Sequence, residues 1–469
     1  MAHAAPSSLV MLHLGLGSFH RAHQALFMHQ LRETGDRSWS IVGGNIRDDM
    51  PETMATLIKQ KGEYTLETVS PAGVRQYERI SSIADVVPFE PSLARLIEIG
   101  AQASTRIISF TVTEAGYYLD SENKLDLGYA DLRSDLENNM KITIYGAITA
   151  ILKARVARGG ATVTLLSCDN LRSNGVRFRA GLLDFLNRRG EHALLEWVKR
   201  CTTCPCNMVD RITPRPTPDV AERVLAATGK ADGAAVMSES FIQWVIEDSF
   251  IAGKPAWNRV GAEFVDSVHA YEEAKIRILN ATHSCVAWAG TLRGLKFIHE
   301  DVANPEIRQM AYDYVTNDVI PCLHSTERPC PIDLAKYRDV VLERFGNPFV
   351  CDTNQRVAAD GFTKLAGFIA PTIRDRLAAG KSIASVARLP ALLLTFLEQW
   401  HTGGLPFSYD DQVMSPELGH AICASADPVL AFVSEPSCWG DLAGNEVLHA
   451  ALIQARREIQ SFIGRGEAT

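Results

Sequence analysis

Lys275, Asn280 and His283 spell K-x-x-x-x-N-x-x-H inside the run YEEAKIRILNATHSCVAWAGTL. Read as an amphipathic α-helix, the run sets these three polar side chains within an arc of roughly 140°, with Ile276, Ile278, Leu279 and Val286 covering much of the rest. Singly, a helix lysine is ordinarily solvated and a core histidine ordinarily satisfied. A mostly buried helix face with little other charge seldom carries all three. An amine, an amide and an imidazole are thus offered to one side of a mostly buried helix, and this run is where chemistry is expected.

The opposite end of the chain offers a place for a cofactor. Gly15-Leu16-Gly17-Ser18-Phe19-His20 follows the short apolar run LVMLHLG and opens a helical period. In that setting a glycine turn lets backbone N–H groups approach a pyrophosphate. The third glycine of the usual fingerprint is replaced by His20, so the pattern is weak alone; a turn without a ligand would carry the same glycines. After the next apolar run, SWSIVGG, comes Asn45-Ile46-Arg47-Asp48. There Asp48 would take the ribose hydroxyls of NAD, whereas Arg47 would suit a 2′-phosphate. The acidic residue favours NAD, and an ion pair between these two neighbours is the plainer alternative.

The elements that must position these groups follow from the apolar pattern. LVMLHLG, SWSIVGG, RIISFTVT and ATVTLLSC are short apolar runs separated by helical stretches, the mark of a parallel sheet covered on both faces. GEYTLETVSPAGVRQYERI alternates about a turn at Pro71-Ala72-Gly73 and reads as an inserted antiparallel hairpin. From Tyr271 onward the period is overwhelmingly helical, with corners such as Gly403-Gly404-Leu405-Pro406. The change of domain is expected near residue 268, where strand-like AEFVDSV gives way to the lysine run.

Composition narrows the function classes. The 469 residues carry 46% hydrophobic and 22% charged content and a formal net charge of −8, with no long basic block. Nucleic acid is therefore a poor partner. MAHAAPSSLVMLHLGLG lacks a basic segment followed by an apolar one and no 18-residue uncharged run occurs, so a cytoplasmic chain without a membrane partner is expected. Ten cysteines without an export signal suggest reduced thiols. Cys201-x-x-Cys204-x-Cys206, with His192 upstream, lacks the second ligand pair of a structural zinc site; small thiols in a turn at Pro205 are expected there, and no metal.

GLGSFHRAHQA, TVTEAGYYL, SCDNLRSNG, MVDRITPRP, the lysine run and DTNQRVAADGFTK together resemble the polyol-specific long-chain dehydrogenases, the family that includes mannitol 2-dehydrogenase. NIRDD, ETVSPAGVRQYE, TTCP and EQWHTGGLP are similar to its arabinitol-oxidising members. The resemblance implies an α/β chain: a Rossmann-type N-terminal domain with inserted antiparallel strands over residues 1–268, and a mostly α-helical substrate and catalytic domain over 269–469. It implies NAD as cofactor, a small polyol as the partner, no metal, and a monomer or weak homo-oligomer. Lys275 resembles the family's general base, Asn280 and His283 its partners, and Asn170 a second amide at the reacting oxygen. Asp210, Arg356 and Lys364 are similar to polyol-contacting residues, and Glu272 to a glutamate beside the base. Gly15, Gly17, Ser18, Phe19 and Arg21 fall on the cofactor loop, whose third glycine the family also lacks, with Asp48 at the ribose and Thr113 and Glu114 near the nicotinamide.

Competing expectations remain. Mannitol oxidation and hexuronate reduction belong to the same family, and Arg356 and Lys364 would also face a carboxylate. A dinucleotide-binding sensor without turnover would share the glycine turn, but would have no need of Lys275, Asn170, Asn280 and His283 together. For a lysine to act as base, its pKa, near 10.4 in water, must be brought toward neutrality by burial or a neighbouring cation.

Overall fold

The computed structural model describes residues 9–120, 123–326 and 329–465; the first eight residues, part of the segment read above for targeting, lie outside them. The chain divides into two compact units, one running to Ser70 and resuming over Val74–His269, the other formed by Pro71–Gly73 and the residues from Ala270 onward.

The first unit is built on six parallel strands: β1 (Leu9–Leu14), β2 (Trp39–Gly44), β5 (Ile83–Val87), β6 (Thr105–Phe110), β7 (Val163–Ser167) and β8 (Thr202–Thr203). Their order across the sheet is β5-β2-β1-β6-β7-β8. Counted within this sheet alone, that is the 3-2-1-4-5-6 arrangement of a dinucleotide fold, whose order reverses between its first and fourth strands, here β1 and β6. Alternation of side chains assigns the two faces to two cores. Met11, Ile41, Ile107 and Leu166 belong to one core, while Leu12, Ile108, Phe110 and Leu165 belong to the other. Burial on both faces explains why these strands read as unbroken apolar runs.

The hairpin expected around Pro71–Gly73 is present as β3 (Tyr64–Val69) antiparallel to β4 (Arg75–Ile80). It does not join the main sheet. β3 also pairs in parallel with β10 (Val236–Glu239), giving a separate three-stranded sheet. A third sheet unites β12 (Glu263–Val265), β11 (Gln243–Glu247) and β9 (Asn207–Asp210).

The second unit is helical around a single large core. The lysine run departs from the expected regular amphipathic α-helix. His269–Ala274 is α-helical, Lys275–Asn280 is a π-helical turn, and Ala281–Leu292 resumes as α-helix with every residue buried except the partly exposed His283. A widened turn has a chemical consequence: its i→i+5 bonding brings residues five apart round to nearly the same face. Lys275 and Asn280 are five apart, so the π turn aligns them better than the arc assumed for an α-helix. Tyr314 supports the turn from its neighbour, donating its hydroxyl to the Arg277 carbonyl at 2.9 Å. Two further π turns, Val315–Val319 and Leu365–Ile369, pack against the first.

Candidate active site

Gly15 ends β1 at φ +110°, and a Cβ there would lie 2.4 Å from the Thr111 carbonyl oxygen. Only glycine allows the turn to pass this close to the end of β6. Gly17 is different: its φ is −67° and a Cβ would meet nothing within 4 Å. The protein's own packing does not require glycine at that position. Open space at the head of Ser18–Ala22, at the carboxyl edge where strand order reverses, is what close approach of a pyrophosphate needs. The loop is tied by its own hydrogen bonds, the Leu16 N–H donating to Asn45 Oδ1 at 2.9 Å and the Gly15 N–H to the Gly44 carbonyl at 2.9 Å. Ser18 and Phe19 lie partly exposed on this segment.

Arg21 lies on the same segment with its side chain turned inward. It is 2% exposed, donates Nε to the Leu16 carbonyl at 3.2 Å and Nη1 to the Ala234 carbonyl, and lies over the Tyr64 ring. Its guanidinium braces the glycine loop from inside. His20, where a third glycine would stand, is buried and stacked on His13 at 3.4 Å. Asp48 is exposed beyond the end of β2. Arg47 pairs with Asp131 at 2.6 Å and with the Tyr118 hydroxyl, not with its neighbour Asp48.

Past β6, Thr113 holds φ +64° and ψ 168°, a region costly for a β-branched residue. The cause is Asp169, which the sequence reading missed. Its buried Oδ1 accepts the N–H groups of Val112 at 2.9 Å and Thr113 at 2.8 Å, and Oδ2 accepts the Tyr117 hydroxyl at 3.0 Å. Burial raises its pKa to about 6 against these bonds. Asn170 follows it, exposed at the end of β7, and Glu114 is exposed beside Thr113. The same buried network extends through Asn174, which donates to the carbonyls of Asp169 and Asn207. Asp210 closes β9, opposite Gln243 and 4% exposed.

In the second unit Lys275 is 6% exposed, with Glu272 and Glu273 buried on the turn before it. Arg277 pairs with Glu273 at 2.8 Å and with Asp375. His283 stacks on Phe345 with ring centroids 4.4 Å apart and sets Nε2 3.3 Å from Asp352 Oδ2. That carboxylate also receives Arg356 through Nε at 2.6 Å and through Nη2. Burial lowers the His283 pKa, with Asp352 opposing it and Arg356 and Lys364 reinforcing it. Lys364 donates to the Val357 and Ala359 carbonyls at 2.7 and 2.6 Å. The second unit thus gathers His283 and Arg356 about Asp352, with the Lys364 charge acting on His283; Asp352 is another residue that sequence reasoning did not single out, because a buried acid looks like any surface acid in a string.

All ten cysteines are free thiols, and Cys206 is buried while Cys201 and Cys204 are partly so. Among the described residues, no group of three or more His, Cys, Asp or Glu side chains converges as metal ligands do, and no helix is long and apolar enough to cross a membrane.

The comparisons agree along the whole length. The mannitol dehydrogenase Rossmann domain matches residues 10–259 and the mannitol dehydrogenase C-terminal domain residues 267–460. The chain is 56% identical to a D-arabinitol 4-dehydrogenase of Ralstonia nicotianae, covering 97% of each. It is 50% identical to another of Klebsiella pneumoniae, covering 92% of this chain and 94% of that one. Among solved structures, the Pseudomonas fluorescens mannitol 2-dehydrogenase in ternary complex with NAD and D-mannitol superposes with a TM-score of 0.85 at 30% identity, covering 98% of this chain and 94% of that one. The glycine turn at the reversal of strand order and the buried lysine on a π turn therefore sit in a chain that belongs to the mannitol dehydrogenase family.

Proposed function

We propose that this chain catalyses the reversible, NAD-dependent oxidation of D-arabinitol to D-xylulose without a metal, with Lys275 as general base. Near-full-length identity to two D-arabinitol 4-dehydrogenases is the observation that carries the substrate. NAD, when bound, supplies the hydride acceptor.

The protein's own groups then have defined tasks. Lys275, buried to 6% exposure, takes the hydroxyl proton, a role burial favours because it disfavours the charged amine. Asn170 and Asn280 donate to the oxygen as negative charge develops on it; losing one such donor typically costs about 3–4 kcal/mol of barrier. Neutral His283 holds an adjacent hydroxyl, and Asp210, Arg356 and Lys364 read the remaining polyol chain. Glu272, one turn before the base, is assigned to the base's side as the group that receives or relays its proton.

Arg47 supports NAD over NADP: its guanidinium is engaged by Asp131 and Tyr118, leaving Asp48 to meet the ribose. A cytoplasmic location and a small-molecule partner complete the reading. Turnover measured over D-arabinitol, D-mannitol and D-sorbitol with NAD and NADP tests it directly. Faster oxidation of D-mannitol than of D-arabinitol with both cofactors would replace the assigned substrate.

A further inference from the structure

We infer that Asp352 is a positioning residue, fixing the tautomer of His283 and the reach of Arg356 so that both present themselves to the polyol. The inference rests on the substrate roles proposed above for His283 and Arg356. Three independent features of the second unit converge on this carboxylate.

First, Nε2 of His283 lies 3.3 Å from Asp352 Oδ2. The N–H is not well aligned, so this is a charge contact more than a directed bond. The chemistry is nonetheless one-sided: a lone pair on Nε2 would face the lone pairs of a carboxylate, whereas a proton there is attracted. Neutral His283 therefore carries its proton on Nε2 and keeps its lone pair on Nδ1, ready to accept from a hydroxyl. Second, Arg356 and Lys364 contribute positive charge around the pair. Burial by itself would raise the Asp352 pKa, but His283 and Arg356 hold it well below the carboxylate range, so it stays ionised.

Third, neither partner is loosely held. The Phe345 ring lies 17° from the plane of His283. The Asp352 carbonyl accepts the Ile298 N–H at 3.0 Å, and Thr353 bridges Phe297 while capping the Arg356 N–H at 3.3 Å. Arg356 itself is 61% exposed, so without Asp352 nothing in this arrangement would direct its fork.

A double-mutant cycle tests the inference. Asp352→Asn should lower kcat/KM for D-arabinitol by at least about tenfold, mainly through KM, as expected when a histidine loses the carboxylate that orients it. NADH affinity should stay unchanged. In a background carrying both His283→Ala and Arg356→Ala the further effect of Asp352→Asn should shrink to within about twofold. A full effect persisting in both His283→Ala and Arg356→Ala backgrounds overturns the inference. Unaltered turnover in His283→Ala alone instead overturns the site assignment on which it stands. Should Asp352→Asn fail to fold, ¹⁵N shifts of His283 in the unmodified enzyme, identified by their loss in His283→Gln, decide: the Nε2–H form at pH 7 supports the inference and the Nδ1–H form refutes it.

Discussion

Asp169 accepts the N–H of Thr113 at 2.8 Å while that threonine stands at φ +64°. A β-branched residue in this region costs about 1–3 kcal/mol and persists only where its surroundings over-determine it. Removing the carboxylate leaves the Val112 and Thr113 N–H groups and the Tyr117 hydroxyl without their acceptor. Asp169→Ala is expected to lose about 2–4 kcal/mol of stability, on the basis of roughly 1–3 kcal/mol per unsatisfied buried group. Asp169→Asn, which can still accept from both N–H groups, should lose much less. Urea unfolding of the two variants, with NADH titration alongside, provides the measurement; equal stability of Asp169→Ala and the parent would show that the loop holds itself.

Stacked and buried, His13 and His20 make the cofactor loop sensitive to acid. His13 Nε2 donates to the Gly15 carbonyl at 3.0 Å, and Nδ1 accepts from Ser109 at 2.8 Å. Burial lowers His13 from 6.5 to about 3 and His20 well below its usual value, with Arg21 and His23 adding to the latter effect. The unfolded chain therefore binds protons that the folded chain refuses. Their stabilising contribution is complete above pH 6.5 and is lost progressively as pH falls toward about 3. Unfolding free energy measured between pH 7 and 4 should fall steeply, by an amount that grows with each pH unit. His20→Phe keeps a stacked ring without a titrating nitrogen and should flatten that slope by about one proton; an unchanged slope would place the acid sensitivity elsewhere.

What was legible in the sequence follows from how each element is stabilised. β1, β2, β6 and β7 are buried on both faces, so their apolar runs stand out; β8 is two residues long and β9 four, too short for any pattern. The hairpin could be read from its alternation, but not its partner β10, a pairing that spans well over a hundred residues. At the site, Lys275, Asn280 and His283 were visible as a spaced set. The π turn beneath them was not, because a fixed advance per residue presupposes the α-helix. Asp169 and Asp352 remained invisible for a related reason: although Asn170 and Arg356 lie close by in sequence, the groups that give the two acids their roles, the Val112 and Thr113 N–H groups and His283, are brought to them by tertiary packing. Arg21 adds a further case, since its place on the loop gave no sign that its side chain turns inward beneath Leu16.

Asp301 gives a stability test with the opposite pH sense. It is fully buried, accepts Asn354 Nδ2 at 3.1 Å, and fits against Gly290, where a Cβ would lie 1.8 Å from its Oδ1. Burial raises its pKa from 3.8 to about 8. A carboxyl raised on folding is most compatible with the fold when protonated, so stability is lost as pH rises from 3.8 through about 8. Asp301→Asn replaces a buried acid with a neutral amide of the same shape. Its Tm should exceed the parent's at pH 9 and converge with it as pH falls toward 4; a deficit at pH 9 would mean that the charged form is accommodated after all.

With the cofactor seated as proposed, the choice between NAD and NADP turns on which side chain at the end of β2 meets the adenosine ribose. Arg47 has the charge to hold a 2′-phosphate, but its Nη2 reaches Asp131 at 2.6 Å and its Nε the Ile142 carbonyl at 3.3 Å. Both partners of the ion pair are largely exposed, so the pair itself adds little stability, in the range of about 0–1 kcal/mol. Its effect is on where the guanidinium points. Asp131→Ala releases Arg47 without altering Asp48 and should raise kcat/KM with NADP several-fold at little loss with NAD. Asp48→Ser removes the repulsion between carboxylate and phosphate and should weaken NAD binding while improving NADP. Combined, the two changes should exceed either alone, because one removes a like charge and the other frees an opposite one. Steady-state kinetics of the four proteins with both cofactors measure this; an NADP preference unmoved by Asp131→Ala would show that Arg47 is turned from the ribose by the backbone, independent of its acidic partner.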